Sequence, residues 1–385
     1  MAHQDFHVAI VYIPVPKYPL SDVEKRYSRA FFQAYAKSYL EQLTEDDLRN
    51  LWQVEKVNQG LLYIASYLQK HDFEVSYFAH GNNPYSLPVE GAQVVRKELL
   101  AELYKYDLIC LYCITCNYHL AESLASDIKK RNSNVIVALG GPHASAVPHE
   151  VLNAPMYSEN KSFSSRSKIL FDFVGRGEGE DTVLDMAKCL REKGRIEPLA
   201  GAVVRTDGIM ARGPERPRKN PVDYPTPAYE ISGITRLPAA RIFPNRGCPN
   251  CCAFCADPWK KKVTYVNNDS VAKEVDLLHS RYGTRFLYLG CQDFLCDEKR
   301  ALEVANVIHH THHDISWVAQ SRVKPKLSNK TLEKLVQYGC VGIEFGVESA
   351  DQAILDTVKK NISLENAKNC FQIAKESNLL TQHTG

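Results

Sequence analysis

The sequence contains no run of about 18 apolar residues, the length a helix needs to cross a bilayer, so no membrane-spanning helix is expected. Its opening residues, Met1-Ala2-His3-Gln4-Asp5-Phe6-His7, have neither the basic nor the apolar region of a secretion signal. Net charge is also scarce: 47 Lys and Arg against 45 Asp and Glu leave +2, which points to neither nucleic acid nor an anionic membrane surface as a partner. Lys260-Lys261-Lys262 reads as a solvated run. A cytoplasmic protein is expected, and twelve cysteines in that compartment speak against a disulfide framework. They favour metal or redox chemistry where they cluster.

At 385 residues the chain exceeds one ordinary core, and two domains are expected. His7 to Ile13 is a β-branched run stopped by Pro14 and Pro16, which reads as a buried first strand. Residues 17–57 are too long for a normal strand-to-helix loop and carry helix-forming aromatic stretches, so a helical insertion is expected there. Beyond Gly60, helices alternate with near-continuous apolar strands at Glu74–Phe78, Asp107–Ile114, Val135–Leu139 and Phe171–Val174. That alternation implies an α/β fold, a doubly wound, Rossmann-like parallel sheet covered on both faces. Its strands end in Thr115, Gly140-Gly141 and Gly175 to Gly179, at the end where such sheets bind ligands. A hairpin is expected at Asp207-Gly208. The expected boundaries are a first domain over 1–212, a proline-rich linker over 213–238, and a second domain over 239–385.

The second domain restarts the alternation. Strands at Ala240–Phe243, Arg285–Leu289, Ile315–Arg322 and Gly339–Ser349 alternate with helices, and Leu379-Leu380-Thr381 opens a fifth. Such units suggest a partial (β/α) barrel with its site at the carboxyl ends of the strands, where Cys255, Asp293, Arg322 and Glu348 fall. A helix capped near Asn268 or Asp269 is expected.

Four cysteines lie within Cys248-Pro249-Asn250-Cys251-Cys252-Ala253-Phe254-Cys255. Cys248, Cys252 and Cys255 have the spacing C-x3-C-x2-C, which lets one loop wrap three thiolates around a metal centre. Thiolates favour zinc or iron-sulfur. A zinc ribbon would need a second closely spaced pair, and none lies in the second domain. Three ligands would leave one iron of a four-iron cluster open to something else. Cys110, Cys113 and Cys116 form a second series, but an extended strand sets the outer two roughly 20 Å apart, which argues against a second cluster. Cys189 and Cys370 read as small buried residues.

The cysteine spacing, with Phe254 before the third cysteine and a strand ahead of the loop, resembles the signature of radical S-adenosylmethionine enzymes. The resemblance implies a [4Fe-4S] cluster on Cys248, Cys252 and Cys255, with S-adenosylmethionine on the open iron. It assigns no role to Cys251. It places Asp293, Arg322, Glu348 and Ser349 at strand ends that contact S-adenosylmethionine. Asn58 to Leu61, Thr115, Gly140-Gly141-Pro142-His143 and Gly175 to Glu180 resemble the cobalamin-binding domain that precedes the barrel in one large subclass. Thr115, Gly140, Gly141, His143, Gly177 and Glu178 are thereby implied as cobalamin contacts. The D-x-H-x-x-G motif that supplies a histidine to cobalt is absent, so His143 is expected to line the loop.

A cobalamin-dependent radical methyltransferase is the activity the resemblance implies, on a small-molecule or peptide substrate and with a flavodoxin or ferredoxin as electron donor. Methylthiolation, cyclisation or rearrangement, and a non-catalytic cofactor-binding role stand as alternatives. The family's barrels have six β/α units, whereas this pattern supplies four and the start of a fifth, so an incomplete barrel is expected.

Overall fold

The computed structural model describes residues 6–13, 57–78, 99–153, 169–206, 208–221, 224–257 and 261–384. The insertion expected at 17–57, its last residue apart, lies outside the described residues. The chain divides into two units. Among described residues, the first runs to Pro217 and includes Pro227–Gly233, and the second takes Arg218–Thr226 and everything from Ile234. Segment 213–238 is thus divided between the two units. Its side chains explain why. Within the first unit Tyr229 Oη accepts from Gln59 Nε2 at 2.9 Å, and within the second the buried Arg218 pairs with Asp257 at 3.3 Å.

The first unit is a seven-stranded sheet in the order β2-β1-β3-β4-β5-β6-β7. Strands β1 (His7–Tyr12), β2 (Glu74–Phe78), β3 (Leu108–Tyr112), β4 (Ile136–Gly140) and β5 (Phe173–Gly175) are parallel. Strands β6 (Ala202–Thr206) and β7 (Ile209–Arg212) form the hairpin expected at Asp207-Gly208. Among the described residues five α-helices accompany them: α1 (Gln59–Gln69), α2 (Tyr118–Arg131), α3 (Pro142–Ala146), α4 (Pro148–Asn153) and α5 (Glu180–Lys193). Val8, Ala9, Ile10 and Val11 are all fully buried, which only a strand covered on both faces allows. Asn58 starts α1 by accepting Leu61 N at 3.1 Å, and Gly194 at φ 66° ends α5. The strand order reverses between β1 and β3, the place where such sheets open a crevice.

In the second unit β8 (Ala239–Ile242), β11 (Phe286–Leu289), β12 (Ser316–Arg322), β13 (Cys340–Gly346) and β14 (Leu380–Thr384) pair in parallel in the order β14-β13-β12-β11-β8. A short antiparallel pair, β9 (Asn245–Arg246) and β10 (Thr264–Tyr265), brackets the cysteine loop. Helices α6 (Asn268–Tyr282), α7 (Glu298–Thr311), α8 (Asn329–Gln337), α9 (Gln352–Thr357) and α10 (Leu364–Glu376) fill the connections. The α6 cap is Asn267, one residue earlier than expected, because its Oδ1 reaches Ser270 N at 2.7 Å. Trp317 is fully buried with its indole N–H donating to Tyr338 O at 2.8 Å, so the largest core side chain leaves no polar atom unmet. No helix among the described residues is long and apolar enough to cross a membrane.

Candidate functional site

The cysteine loop leaves β9 through Gly247, whose φ is 90°. A Cβ there would stand 2.0 Å from both Lys262 O and Arg218 Nη1, so only glycine fits the turn. Arg218 clamps the loop's return: Nη1 donates to Lys262 O at 3.0 Å and Nη2 meets Asp257 Oδ1 at 3.3 Å. Inside the loop Cys255 N donates to Cys252 O at 3.1 Å, and Ala253 N donates to Val358 O at 2.8 Å. The loop is thus anchored to β10 on one side and to the turn after α9 on the other.

Three of the four sulfurs accept a hydrogen bond. Asn250 Nδ2 lies 3.4 Å from Cys248 Sγ, Arg322 Nη1 lies 3.0 Å from Cys252 Sγ, and Asp257 N lies 3.5 Å from Cys255 Sγ. Cys251 Sγ has no such donor among the described residues. Donors aimed at sulfur stabilise thiolate and tune any metal it binds. The three cysteines singled out by spacing are the three so equipped, a donor set that fits a [4Fe-4S] cluster.

Around this loop gather the strand-end residues. Asp293 follows β11 and is completely buried. Its Oδ1 accepts Ser321 Oγ at 2.8 Å and Arg322 N at 3.1 Å, and Lys324 Nζ reaches both its oxygens at 2.8 Å. Arg322 ends β12 with one amino group on Cys252 and the other donating to Lys360 O. Glu348 follows β13 at φ 73°, a left-handed backbone that is costly for a side chain of this size. Its Oε1 receives Lys360 Nζ at 2.7 Å, and that ammonium lies 5.7 Å from the centre of the exposed Phe254 ring. Ser349 Oγ accepts Asp351 N at 3.1 Å, starting the turn into α9.

Lys360, Lys324 and Arg218 escaped the sequence reading. Asn250 could have been found there, since it sits inside the motif. Lys360 could not, because Lys359-Lys360-Asn361 has the composition of a solvated turn while Lys360 itself is 4% exposed.

In the first unit the expected cobalamin residues collect at the carboxyl ends of β3, β4 and β5. Asn117 is fully buried beside the switch point, donating to Ile13 O at 2.7 Å and accepting Ile114 N at 2.8 Å. His143 Nδ1 lies 3.2 Å from Thr115 Oγ1, and its ring packs on Tyr118 at 4.2 Å between centroids. Gly140 O accepts Cys113 N at 3.1 Å. At Gly141, φ is 103° and a Cβ would stand 2.3 Å from Cys113 O. Gly177 N donates to Ser145 Oγ at 3.0 Å, tying the β5 loop, which also carries Glu178, to α3. The turn at Gly141, which no side chain could enter, gives the close backbone approach a large planar cofactor and its tail require, so this donor and glycine set fits cobalamin.

Cys110 and Cys113 are buried in the same sheet, and burial pushes both thiols up to about 12. Burial thus favours the neutral thiol over the thiolate at both.

The sequence profile of the Radical SAM superfamily matches residues 242–384, and that of the B12 binding domain matches residues 55–187. The uncharacterized methyltransferase PH0819 of Pyrococcus horikoshii is 26% identical over 329 residues, covering 83% of this chain and 67% of that protein. An anaerobic magnesium-protoporphyrin IX monomethyl ester cyclase of Rubrivivax gelatinosus is 25% identical over 294 residues, covering 72% and 50%. Among solved structures, the radical S-adenosylmethionine methyltransferase TsrM of Kitasatospora setae, with cobalamin and a [4Fe-4S] cluster bound, superposes with a TM-score of 0.68 at 14% identity. That match covers 98% of this chain and 66% of TsrM. The chain thus spans one half to two thirds of the length of these relatives.

Proposed function

Because the chain belongs to the radical SAM superfamily, with a B12 binding domain ahead of its barrel, we propose that it is a cobalamin-dependent methyltransferase acting on a small-molecule or peptide substrate. The cofactors of this pair of domains are a [4Fe-4S] cluster, S-adenosylmethionine and cobalamin, which when bound supply an electron, a radical source and a methyl carrier. The observation that carries the reading is the matched set of three cysteines and three sulfur-directed donors.

In this reading Cys248, Cys252 and Cys255 hold the cluster. Arg322 fixes Cys252 and offsets negative charge on its sulfur. Glu348 and Ser349 receive the polar groups of S-adenosylmethionine beside the exposed face of Phe254, with Lys360 setting the orientation of the Glu348 carboxylate. Asp293 and Arg322 belong to the same contact region. The protein partners of Asp293 make it a positioning residue there, locking Arg322 through its backbone N–H. Thr115, Gly140, Gly141, His143, Gly177 and Glu178 receive cobalamin. Thr115 and Tyr118 restrain the His143 ring, which therefore lines the cradle rather than ligating cobalt.

The domain limits proposed are 1–212 and 239–385, joined through 213–238. The protein works in the cytoplasm with a flavodoxin-like or ferredoxin-like electron donor. Cyclisation is the second reading, favoured by the similarity to the R. gelatinosus cyclase.

Anaerobic reconstitution of the full chain followed by incubation with reductant and S-adenosylmethionine tests the proposal. Formation of 5′-deoxyadenosine together with S-adenosylhomocysteine, and retention of corrinoid through gel filtration, is the expected result. Deoxyadenosine without S-adenosylhomocysteine would support cyclisation instead. Formation of neither product would overturn an enzymatic role.

A further inference from the structure

The amino-terminal ends of the barrel strands, opposite to the cysteine loop, carry a separate group of ligating side chains. His279 lies in the last turn of α6, His312 caps the carboxyl end of α7, and Asp314 stands two residues ahead of β12. One donor atom from each falls within 4.8 Å of the others. We propose that His279, His312 and Asp314 form a site for one divalent transition metal ion of the zinc, cobalt or nickel class.

The His279–Asp314 separation suits such an ion. His279 Nε2 lies 3.0 Å from Asp314 Oδ1 and 3.2 Å from Oδ2. Two ligands bound to one zinc at about 2.0–2.1 Å in tetrahedral geometry are roughly 3.3 Å apart, so a cation can replace the proton between these atoms with little movement. The His312 ring is stacked on that of His279, with centroids 3.5 Å apart and planes at 10°. Metal ligation uses the neutral imidazole.

The surroundings favour a cation and orient the ligands. Helices α6 and α7 both end at the site, and helix carboxyl ends present partial negative charge. Arg285 Nε holds Asp314 Oδ2 at 2.9 Å, leaving Oδ1 facing His279. Asp276 Oδ1 lies 2.9 Å from His312 Nε2 and accepts Ser280 Oγ at 3.2 Å. A carboxylate behind an imidazole is the usual outer-shell partner of a metal-ligating histidine. Two imidazoles and a carboxylate select borderline metals over calcium or magnesium. His309 and His310, nearby in sequence, pack instead against Tyr338 at 5.6 and 6.4 Å between ring centroids. They lie outside the site and serve as controls.

The full chain, with its iron-sulfur cluster loaded so that the cysteine loop is unavailable, is given zinc, desalted and analysed for metal content and by X-ray absorption at the zinc edge. About one zinc per chain with only nitrogen and oxygen neighbours is expected. His279→Ala should abolish retention and His309→Ala should leave it unchanged. Asp276→Asn should weaken zinc binding about 10- to 100-fold, the usual cost of losing an outer-shell partner. Asp314→Asn preserves side-chain volume and substitutes for His279→Ala if that variant loses its thermal unfolding transition. Sulfur neighbours at the zinc edge, no retained zinc in the unaltered chain, or undiminished zinc in a folded His279→Ala or Asp314→Asn variant would overturn the site.

Discussion

Arg322 Nη1 donates to Cys252 Sγ across 3.0 Å, joining the end of the third barrel strand to the middle cysteine of the loop. A cationic donor on a cluster sulfur stabilises the more negative, reduced state. Arg322→Leu should therefore shift the cluster's midpoint potential downward by tens of millivolts, roughly what part of a charge-assisted hydrogen bond of about 1.5–3 kcal/mol supplies. Redox titration followed by electron paramagnetic resonance reads this directly. An unchanged or raised potential in an iron-replete variant would show that the contact does not persist around the cluster.

The three equipped cysteines should be separable from the fourth. Cys248→Ala, Cys252→Ala and Cys255→Ala together should remove reconstituted iron and its visible absorption, whereas Cys251→Ala should keep both. Iron and sulfide analysis after anaerobic reconstitution decides it, and iron retained by the triple variant contradicts the ligand assignment.

Asp293 bears a different kind of load, since its carboxylate has no exposure and neutralises Lys324. Removing one partner of a buried pair leaves the other uncompensated, so Asp293→Ala should cost about 3–5 kcal/mol of stability. Asp293→Asn, which retains an acceptor for Ser321 and Arg322, should cost less. Denaturant unfolding of the two variants tests the order. Equal losses would mean that volume, not charge and hydrogen bonding, matters there.

Gly141→Ala probes the first unit. Its Cβ would fall 2.3 Å from Cys113 O on a backbone at φ 103°, and left-handed geometry alone costs a non-glycine residue about 1–3 kcal/mol. Corrinoid retention through gel filtration should fall sharply, while iron content should be unaffected. Full retention would remove this turn from the cradle.

Thiol reactivity gives an independent check on burial. Cys110, Cys113 and Cys291 are pushed up to about 12 by desolvation, whereas Cys116 is exposed. The nucleophile is the thiolate, which appears only as pH approaches the thiol's own pKa, so raised values suppress reaction at pH 8. Iodoacetamide on the native protein at pH 8, mapped by mass spectrometry, should label Cys116 and spare the other three.

Much of this architecture was legible from local pattern. The β-branched run His7–Ile13, the Asp-Gly hairpin and the glycine-ended strands specify their own conformations, and the cysteine spacing holds its chemistry within one loop. Positions of Asp293, Arg322 and Glu348 at strand ends followed from the alternation of elements. Their partners did not. Cys252 is 70 residues from Arg322 and Lys360 is 38, and only tertiary packing decides that a guanidinium meets a sulfur there. The same holds for Arg218, whose proline-rich surroundings look like a spacer although its side chain is buried against Asp257. Proline content reports a stiff backbone and says nothing about what the intervening side chains grip.

The tethers on the cysteine loop bear on the order of assembly. Ala253 to Val358, Arg218 to Lys262 and Asp257, and the turn at Gly247 each fix a part of that loop through bonds that involve no sulfur. In a zinc finger the metal creates the fold it occupies, so that apo chain and unfolded chain are the same thing. Here the loop's shape is specified by the barrel around it. A cluster on this loop would therefore enter a site whose backbone is already shaped, with the polypeptide serving as a mould.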